Sequence, residues 1–499
     1  MKTHKVVLFY PPYAGKPLSP PAGLLALAAP LLEAGFQPAL VDGSIAADFA
    51  DAVVRETAGA LCLGISLLTG PMIRTALEVA RRVRRAHPDL PIIFGGWHPS
   101  LVPAQTLQSD LVDVVVRGQG ELTLLEIVER LRDGKNLDGV LGTSQKPGGR
   151  VVHHPERPVE NVNNLPAPAY HLADVDAYQQ ACGARRLGYP SSVGCPYACN
   201  YCTDMVFYKR RFNAYRAERV VSEVTELVER YRLDEVVFLD SNFPVDVKRA
   251  VEIARGFVAS KVRFRWKFQA STDFLSRMSD EEVSLLAESG VVHMGFGTES
   301  ASQEVLALMN KKHQRLNEMF ETARKSAQAG IKVTFNLIFG YPGETEADRL
   351  ETLRIMSDVA RQYANVTFSP NIFTPYPGLP IWPQLKELGV REPQSLEEWA
   401  DLPLGKNVLP WLQGEELRRL QRMLEFFLWN DYLRNGGSHL PWLGDRARLA
   451  LGTPLRWRLR NGRFGYPWEL WVARTAARLV TRRSLLTGQE LSHTMEDVC

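Results

Sequence analysis

The chain has 499 residues, of which 45% are hydrophobic and 23% charged, a composition typical of folded protein and a length that exceeds one ordinary domain. The formal net charge of +3 is small for this length, so it indicates no general affinity for nucleic acid. The first residues run directly into an apolar strand pattern without a signal-peptide core, and no apolar run reaches the roughly 18 residues of a membrane span. We therefore expect a cytoplasmic protein of two or three domains.

Residues 5 to about 140 alternate between short β-rich runs and amphipathic helical patterns. The predicted strands are 6–9, 38–41, 61–65, 91–94 and 112–116. This alternation predicts an α/β fold with a doubly wound, Rossmann-like parallel sheet, whose ligands bind beyond the carboxyl ends of the strands. At those ends the sequence places Ser66, Leu67, Leu68, Gly95, Gly96, Trp97, His98, Gly118, Gln119, Gly120 and Glu121.

The rest of the chain divides into a linker, a second α/β region and a helical region. A polar stretch with Pro and Asn, from about 142 to 169, predicts a linker. A second alternation, with strands at 235–239, 266–270, 293–296, 332–339 and 365–373, predicts a partial or full β/α barrel with its chemistry at the C-terminal face. We therefore expect domains at 1–145 and 185–376, a linker at 146–184, and a helical C-terminal region at 377–499.

Three of the six cysteines, Cys195, Cys199 and Cys202, fall within eight positions after a predicted strand at 187–193. This spacing indicates a metal site rather than a disulfide framework. Three thiolates can ligate three irons of a [4Fe-4S] cluster, which normally takes four ligands, and one iron then stays open. Zinc is the competing metal, although structural zinc usually takes four protein ligands and no fourth Cys or His lies nearby in sequence. Three unliganded thiols are the remaining alternative.

A CxxxCxxC loop that opens a β/α barrel resembles the radical S-adenosylmethionine (SAM) superfamily. The resemblance implies that the open iron binds the amino and carboxylate groups of SAM, and that one-electron reduction yields a 5′-deoxyadenosyl radical. Tyr201 occupies the superfamily's usual aromatic position. The resemblance also implies SAM contacts at the ends of later strands. It assigns the amino group to Asp240, Ser241 and Asn242, although the commoner Gly-Gly-Glu is absent, the ribose and carboxylate to Gly297, Thr298, Glu299 and Ser300, and the adenine side to Gly340. The alternative is that these residues form ordinary βα turns.

Ser66 to Leu68 followed by Gly95 and Gly96 resembles two of the three signatures of cobalamin-binding domains. The small side chains would leave room for the nucleotide tail of the cofactor, and residues 118–121 look like a further recurring element. The third signature, Asp-x-His-x-x-Gly, is absent, and His98 fits a structural turn better than a metal ligand. The resemblance therefore implies cobalamin without a protein histidine on cobalt. A vestigial domain without cofactor is the alternative.

The tail from 442 to 483 interleaves arginines with aromatic residues. Such a stretch could rest on an anionic membrane surface, peripheral to the inner membrane face. The alternative is a helical tail whose aromatic face packs on the barrel while its arginines are solvated. Nucleic-acid binding ranks third, because no known RNA-binding module is recognisable.

Together these features predict a cobalamin-dependent radical SAM enzyme, similar to class B methyltransferases, that methylates an unactivated carbon of a small-molecule or lipid-like biosynthetic intermediate. The alternatives are radical cyclisation, rearrangement or oxidation without methyl transfer, a radical SAM enzyme with a vestigial cobalamin domain, or a cluster protein that only binds or transfers electrons. We expect an external one-electron donor such as flavodoxin or ferredoxin, since the other cysteines are isolated. The sequence identifies no general acid or base.

Overall fold

The computed structural model describes residues 4–13, 19–402, 409–434 and 445–471. The predicted tail beyond residue 471, with Cys499, lies outside the described residues. Among the described residues, no helix has both the length and the apolar character needed to cross a membrane.

The N-terminal region is built on a seven-stranded sheet of order β2-β1-β3-β4-β5-β6-β7. Strands β1 to β5 are parallel, and β6 and β7 are antiparallel. The strands are β1 (Lys5–Tyr10), β2 (Gln37–Asp42), β3 (Leu63–Ser66), β4 (Ile92–Gly95), β5 (Val114–Val116), β6 (Thr143–Gln145) and β7 (Val152–His153). The connecting helices are α1 (Ala22–Glu33), α2 (Phe49–Thr57), α3 (Met72–Ala86), α4 (Trp97–Leu101), α5 (Pro103–Thr106) and α6 (Glu121–Arg132). Apolar runs such as 6–9 are buried on both faces, as a parallel sheet between helices requires.

The stretch predicted as a linker contains regular structure. It supplies β6 and β7, which lengthen the first sheet at one edge, and α7 (Val175–Cys182), which the Asp174 side chain caps. Strands of two or three residues show no apolar alternation, so the sequence pattern did not reveal them. Tyr170 then donates a 2.6 Å hydrogen bond to the Gly188 carbonyl, which ties this segment to the barrel.

The second region is a partial barrel of six parallel strands in the order β15-β14-β13-β12-β11-β8. These strands are β8 (Arg186–Tyr189), β11 (Glu235–Phe238), β12 (Arg265–Ser271), β13 (Val291–Glu299), β14 (Lys332–Phe339) and β15 (Val366–Ile372). Its helices are α8 (Asp204–Phe207), α9 (Ala217–Tyr231), α10 (Val247–Ser260), α11 (Asp280–Glu288), α12 (Gln303–Leu308), α13 (Leu316–Gln328) and α14 (Glu346–Gln362). The strand predicted at 187–193 is divided, because its last residues form β9 (Ser192–Val193), which pairs with β10 (Asn213–Ala214) instead.

The C-terminal helices cover the barrel and touch the first domain. They are α15 (Trp382–Glu387), α16 (Leu396–Ala400), α17 (Gly414–Arg434) and α18 (Asp445–Asn461). Trp399 of α16 donates a 2.8 Å hydrogen bond to the Gln105 side chain, next to α3 and α4. One buried apolar cluster contains residues of both sheets and of these helices, so the regions share a continuous core.

Candidate functional site

The three predicted cluster cysteines lie in one loop between β9 and α8. The loop starts at Gly194, which has a φ of +78°, and a Cβ there would collide with the Arg211 carbonyl, so only glycine fits. Cys199 is buried, and Cys195 and Cys202 are half-buried. Burial raises the pKa of all three thiols, that of Cys202 to about 12, and the nearby Asp204 carboxylate raises the pKa of Cys195 and Cys202 further.

The donor set fits an iron-sulfur cluster. Within the described ranges, no three His, Cys, Asp or Glu side chains are grouped so that they could hold a single metal ion. The loop offers three soft thiolates within eight residues, and thiolates are the ligands of [4Fe-4S] clusters, in which each binds a separate iron. Three such ligands leave one iron without a protein ligand.

Contacts from the segments that follow β14 and α12 hold the cysteine loop in place. Tyr341, after β14, donates a 2.6 Å hydrogen bond to the Asn200 side chain. Asn310, after α12, donates one of 2.8 Å to the Ala198 carbonyl. Tyr197 stacks face to face on His313, with 3.7 Å between ring centroids. The loop therefore keeps its conformation through the surrounding barrel.

The predicted SAM contacts after β11 differ in what they bind in the structure. The Asp240 carboxylate is buried and accepts hydrogen bonds from the backbone N–H and hydroxyl groups of Ser191 and Ser192, at 2.5 to 3.1 Å. It is therefore engaged in holding the turn before the cysteine loop. The two residues after it face that loop: the Asn242 side chain interacts with Cys195, and Ser241 with Asp204.

A buried ion pair forms at the end of β13. Glu299 has a φ of +61° at a shift in the β13–β14 register, a strained conformation of the kind that clusters at functional sites. Its Oε1 accepts a 2.8 Å hydrogen bond from the Tyr201 hydroxyl and lies 2.9 Å from the Lys311 Nζ. Lys311 also donates to the Gly297 carbonyl at 2.6 Å. Burial by itself lowers the pKa of Lys311, but the Glu299 carboxylate together with Cys199 and Cys202 outweighs burial, and the pKa is raised.

The other predicted residues of these strand ends lie close by. Ser300 shares a 3.0 Å hydrogen bond with Thr352, and the buried Thr298 offers its carbonyl to Gln314 at 2.6 Å. Gly340, with a φ of +77°, directs its N–H to the Glu344 carboxylate at 2.5 Å. Thr298 and Ser300 flank Glu299 in the chain, whereas Gly340 packs against Leu409 and Leu412 at the end of the next strand.

A cavity of about 240 Å³ lies where the first domain meets the barrel. Of the predicted cobalamin contacts, it is lined by Ser66, Gly95, Gly96, Gly118, Gln119, Gly120 and Glu121. A Cβ on Gly96 would lie 2.8 Å from the Leu67 carbonyl, and one on Gly118 would project into open space. A floor of glycines at strand ends thus fits a slender part of a large cofactor, such as the predicted nucleotide tail. Burial raises the pKa of the Glu121 carboxyl.

Four predicted contacts are not among the residues that line this cavity. Leu67 is part of the buried core, and Leu68 packs against it. Trp97 packs against Phe207 of α8 with the rings tilted, at 4.4 Å between ring centroids. His98 is fully buried, its Nδ1 lies 3.0 Å from the Thr69 hydroxyl, and its ring meets Trp399 edge to face. The structural role that the sequence favoured for His98 agrees with this position at the domain junction.

Sequence reasoning missed Lys311 and the aromatic wall of the cavity. Lys311 stands in a Lys-Lys-His run, where nothing distinguishes a buried ammonium from a solvated one. The cavity wall on the barrel side includes Phe207, Tyr208 and Tyr215. The aromatic pair five and six residues after the third cysteine was the available signal for two of these three residues.

Comparison with known proteins places both regions. The radical SAM superfamily profile matches residues 189–356, and that of the B12 binding domain matches residues 16–128. The chain is 30% identical over 395 residues to an uncharacterized methyltransferase of Pyrococcus horikoshii, covering 77% of this chain and 83% of that protein. It is 24% identical to the anaerobic magnesium-protoporphyrin IX monomethyl ester cyclase of Rubrivivax gelatinosus, over 73% of this chain and 66% of that protein. It is also 24% identical to the hopanoid C-3 methylase of Methylococcus capsulatus, over 90% of this chain and 82% of that protein.

The fold has a solved counterpart in the cobalamin-dependent S-adenosylmethionine radical enzyme OxsB, with aqua-cobalamin and S-adenosylmethionine bound. The TM-score is 0.73 at 15% sequence identity, over 99% of this chain and 78% of that chain. Fold and site together define a radical SAM enzyme with a B12-binding domain. The chain belongs to the family of cobalamin-dependent radical SAM methyltransferases, whose cofactors are SAM, a [4Fe-4S] cluster and cobalamin. The predicted family, fold class and cofactors are confirmed.

Proposed function

We propose that this enzyme methylates an unactivated carbon of a small-molecule or lipid-like biosynthetic intermediate. The observation that carries the proposal is the shared wall between the two cofactor regions. The cavity lined by Ser66 and Gly95 on one side is closed on the other by Phe207 and Tyr208, from the helix that starts two residues after Cys202. A methyl donor bound in the first domain and a substrate activated at the barrel would therefore be neighbours.

Separate sets of residues would hold the cluster and SAM. When bound, the cluster with SAM supplies a 5′-deoxyadenosyl radical that removes a hydrogen atom from carbon, and cobalamin supplies the methyl group. Cys195, Cys199 and Cys202 would hold the cluster. Tyr201 and Lys311 orient the Glu299 carboxylate from two sides, so that it can accept hydrogen bonds from SAM.

The remaining predicted contacts would complete the two cofactor sites. Asn242, Gly297 and Gly340 would complete the SAM site around that carboxylate. In the first domain, the glycine floor of the cavity would receive the cofactor tail, and the contact between the Trp97 and Phe207 rings would help to exclude water from the domain junction.

We further propose the division into a cobalamin domain at 1–145, a barrel at 185–376, a connecting segment at 146–184 and a helical region at 377–499. The cluster also needs an external electron donor, for which we propose an acidic carrier such as flavodoxin or ferredoxin. Three consecutive exposed cations, Lys209, Arg210 and Arg211, support this proposal. The Arg210 Nε donates a 3.3 Å hydrogen bond to the Pro196 carbonyl, inside the cysteine loop.

Product analysis with labelled SAM tests the methylation. Reconstituted full-length enzyme would be incubated anaerobically with trideuteromethyl SAM, cobalamin, a reductant and lipid and metabolite extracts of cells that carry the gene. A trideuteromethylated product together with S-adenosylhomocysteine supports methylation. Formation of 5′-deoxyadenosine with an altered, unlabelled product would instead support cyclisation or oxidation, the alternative that similarity to the cyclase favours. Absence of both adenosine products would leave only a binding or electron-transfer protein.

A further inference from the structure

The last described turns of the chain present their aromatic side chains to solvent. Trp457, Tyr466, Trp468 and Trp471 are 53%, 94%, 60% and 68% exposed. No other tryptophan within the described ranges is exposed. Burying such side chains is strongly favourable, so four exposed aromatic side chains within fifteen residues mark an interaction surface. We call residues 457–471 the aromatic edge.

Buried hydrogen bonds hold the aromatic edge in a defined conformation. The Arg458 side chain is buried beneath it and donates hydrogen bonds to the Glu469 carboxylate at 2.7 Å and to the carbonyls of Gly465 at 2.6 Å and Tyr466 at 2.9 Å. Phe464 and Leu470 fill the core side instead. In this part of the tail Arg458 lies inside, and every aromatic residue except Phe464 lies outside. The alternative in which the aromatic face packs on the barrel therefore does not hold here.

Cations stand among the exposed aromatics. Arg460 and Arg463 are exposed, and the Arg463 guanidinium lies 6.0 Å from the Trp457 ring. Arg460 pairs with Asp358 at 3.0 Å. Tryptophan and tyrosine prefer the headgroup level of a bilayer, while arginine is attracted to anionic lipids. We infer that the aromatic edge is a membrane-docking surface that binds bilayers containing anionic lipid.

The edge is placed where docking would serve the active site. Gly462 lies against Leu350 of α14, in the second turn of the helix that follows the Gly340 loop. Arg460 pairs with Asp358 towards the other end of α14, so the edge runs along this helix, and its Gly462 turn is the part nearest the predicted SAM contacts. If the enzyme methylates carbon as proposed above, this placement indicates a membrane-resident, apolar substrate, a conclusion that rests on the proposed function.

Vesicle sedimentation tests the docking itself. Full-length protein would be mixed with vesicles of phosphatidylcholine alone or with one-third phosphatidylglycerol, and the bound fraction measured. We expect binding only to the anionic vesicles, about fivefold weaker in Arg463→Gln because each basic residue near the surface contributes about that factor. The Tyr466→Ala/Trp468→Ala variant should lose at least about tenfold. The control Leu388→Ala, which removes an exposed apolar side chain elsewhere, should bind as wild type.

Three outcomes would overturn the inference. The first is that the wild-type protein fails to bind anionic vesicles, and the second is that Tyr466→Ala/Trp468→Ala, the aromatic variant, binds them as well as wild type does. The third is dimerisation without lipid that the aromatic variant abolishes, which would assign the edge to contact with a second copy of this chain. Circular dichroism of each variant checks folding. Cleavage of SAM without lipid should be unchanged in the aromatic variant. Failure of docking is thereby distinguishable from failure of the methylation proposal, which is judged by the labelled product.

Discussion

At the scale of single residues, Lys311 determines the geometry beside the cysteine loop. Its ammonium group is buried between the Glu299 carboxylate and the Gly297 carbonyl. Removal of one partner of a buried pair leaves the other charge unpaired and costs about 3–5 kcal/mol. We expect Lys311→Met to lower the free energy of unfolding by about that amount, measured by urea titration, and to weaken SAM binding, measured by calorimetry.

Two further variants test whether the loss of the Lys311–Glu299 ion pair explains that result. Lys312→Met alters the exposed neighbour and should change neither quantity. The double variant Lys311→Met/Glu299→Gln removes both charges, so it should recover much of the stability while binding stays weak. Wild-type stability and affinity in Lys311→Met would contradict the proposed positioning of Glu299.

The cysteines allow a second test at this scale. Cys199→Ala removes one of the three proposed ligands, and we expect loss of the cluster's visible absorbance, of bound iron and of 5′-deoxyadenosine formation. Cys182→Ala is the matched control, because Cys182 lies outside the loop and its thiol donates only to nearby backbone carbonyls, those of Tyr178 at 2.9 Å and Ala184 at 3.4 Å. Reductive SAM cleavage by Cys199→Ala would disprove the ligand assignment.

At the scale of elements, the packing of α16 on α4 predicts acid sensitivity. Burial against Trp399 lowers the pKa of His98 to about 3, below its usual value of 6.5. The folded state therefore keeps His98 neutral, and its contribution to stability is complete above pH 6.5 and declines as pH falls towards 3. At pH 5 the loss is about 2 kcal/mol.

Urea unfolding at pH 7.5 and pH 5 measures this difference. His98→Gln keeps a polar partner for Thr69 but cannot gain a proton, so its stability should fall less with acid than that of wild type. His87→Gln, at the end of α3, should retain the wild-type pH dependence. Equal acid sensitivity in the His98 and His87 variants would rule out His98 as the source.

The elements also show which features a sequence can reveal. The strand predicted at 332–339 is observed as Lys332–Phe339, because a long run rich in β-branched and aromatic residues is an unambiguous signal. The cysteine spacing revealed the candidate cluster loop for the same reason. The strands β6 and β7 lack an apolar pattern, and the ion pair between Glu299 and Lys311 forms only when two segments meet in the folded chain. Neither feature could therefore be predicted from a short stretch of sequence.

At the scale of the whole molecule, electron delivery has to reach a loop enclosed by three parts of the chain. The first domain meets the barrel at the cavity, and the segment around Asn310 covers the cysteine loop from the barrel side. The turn of Lys209 to Arg211 lies at the surface and contacts the loop directly through Pro196. This turn is therefore the approach that we expect an acidic electron carrier to use.

Charge reversal tests that approach. Arg210→Glu/Arg211→Glu should slow 5′-deoxyadenosine formation at least about tenfold when reduced flavodoxin is the donor at low salt, because electrostatic steering accelerates association by 10-fold or more. The difference should shrink at about 0.5 M salt, where the Debye length falls to a few ångströms. With dithionite, a small reductant, the variant should match wild type. Arg255→Glu, on the outer helix α10, makes a single charge reversal of the same kind away from the loop and should react normally with both donors. An equal loss with dithionite would mean that the double variant damages the cluster site itself, and an unchanged rate with flavodoxin would place the carrier elsewhere.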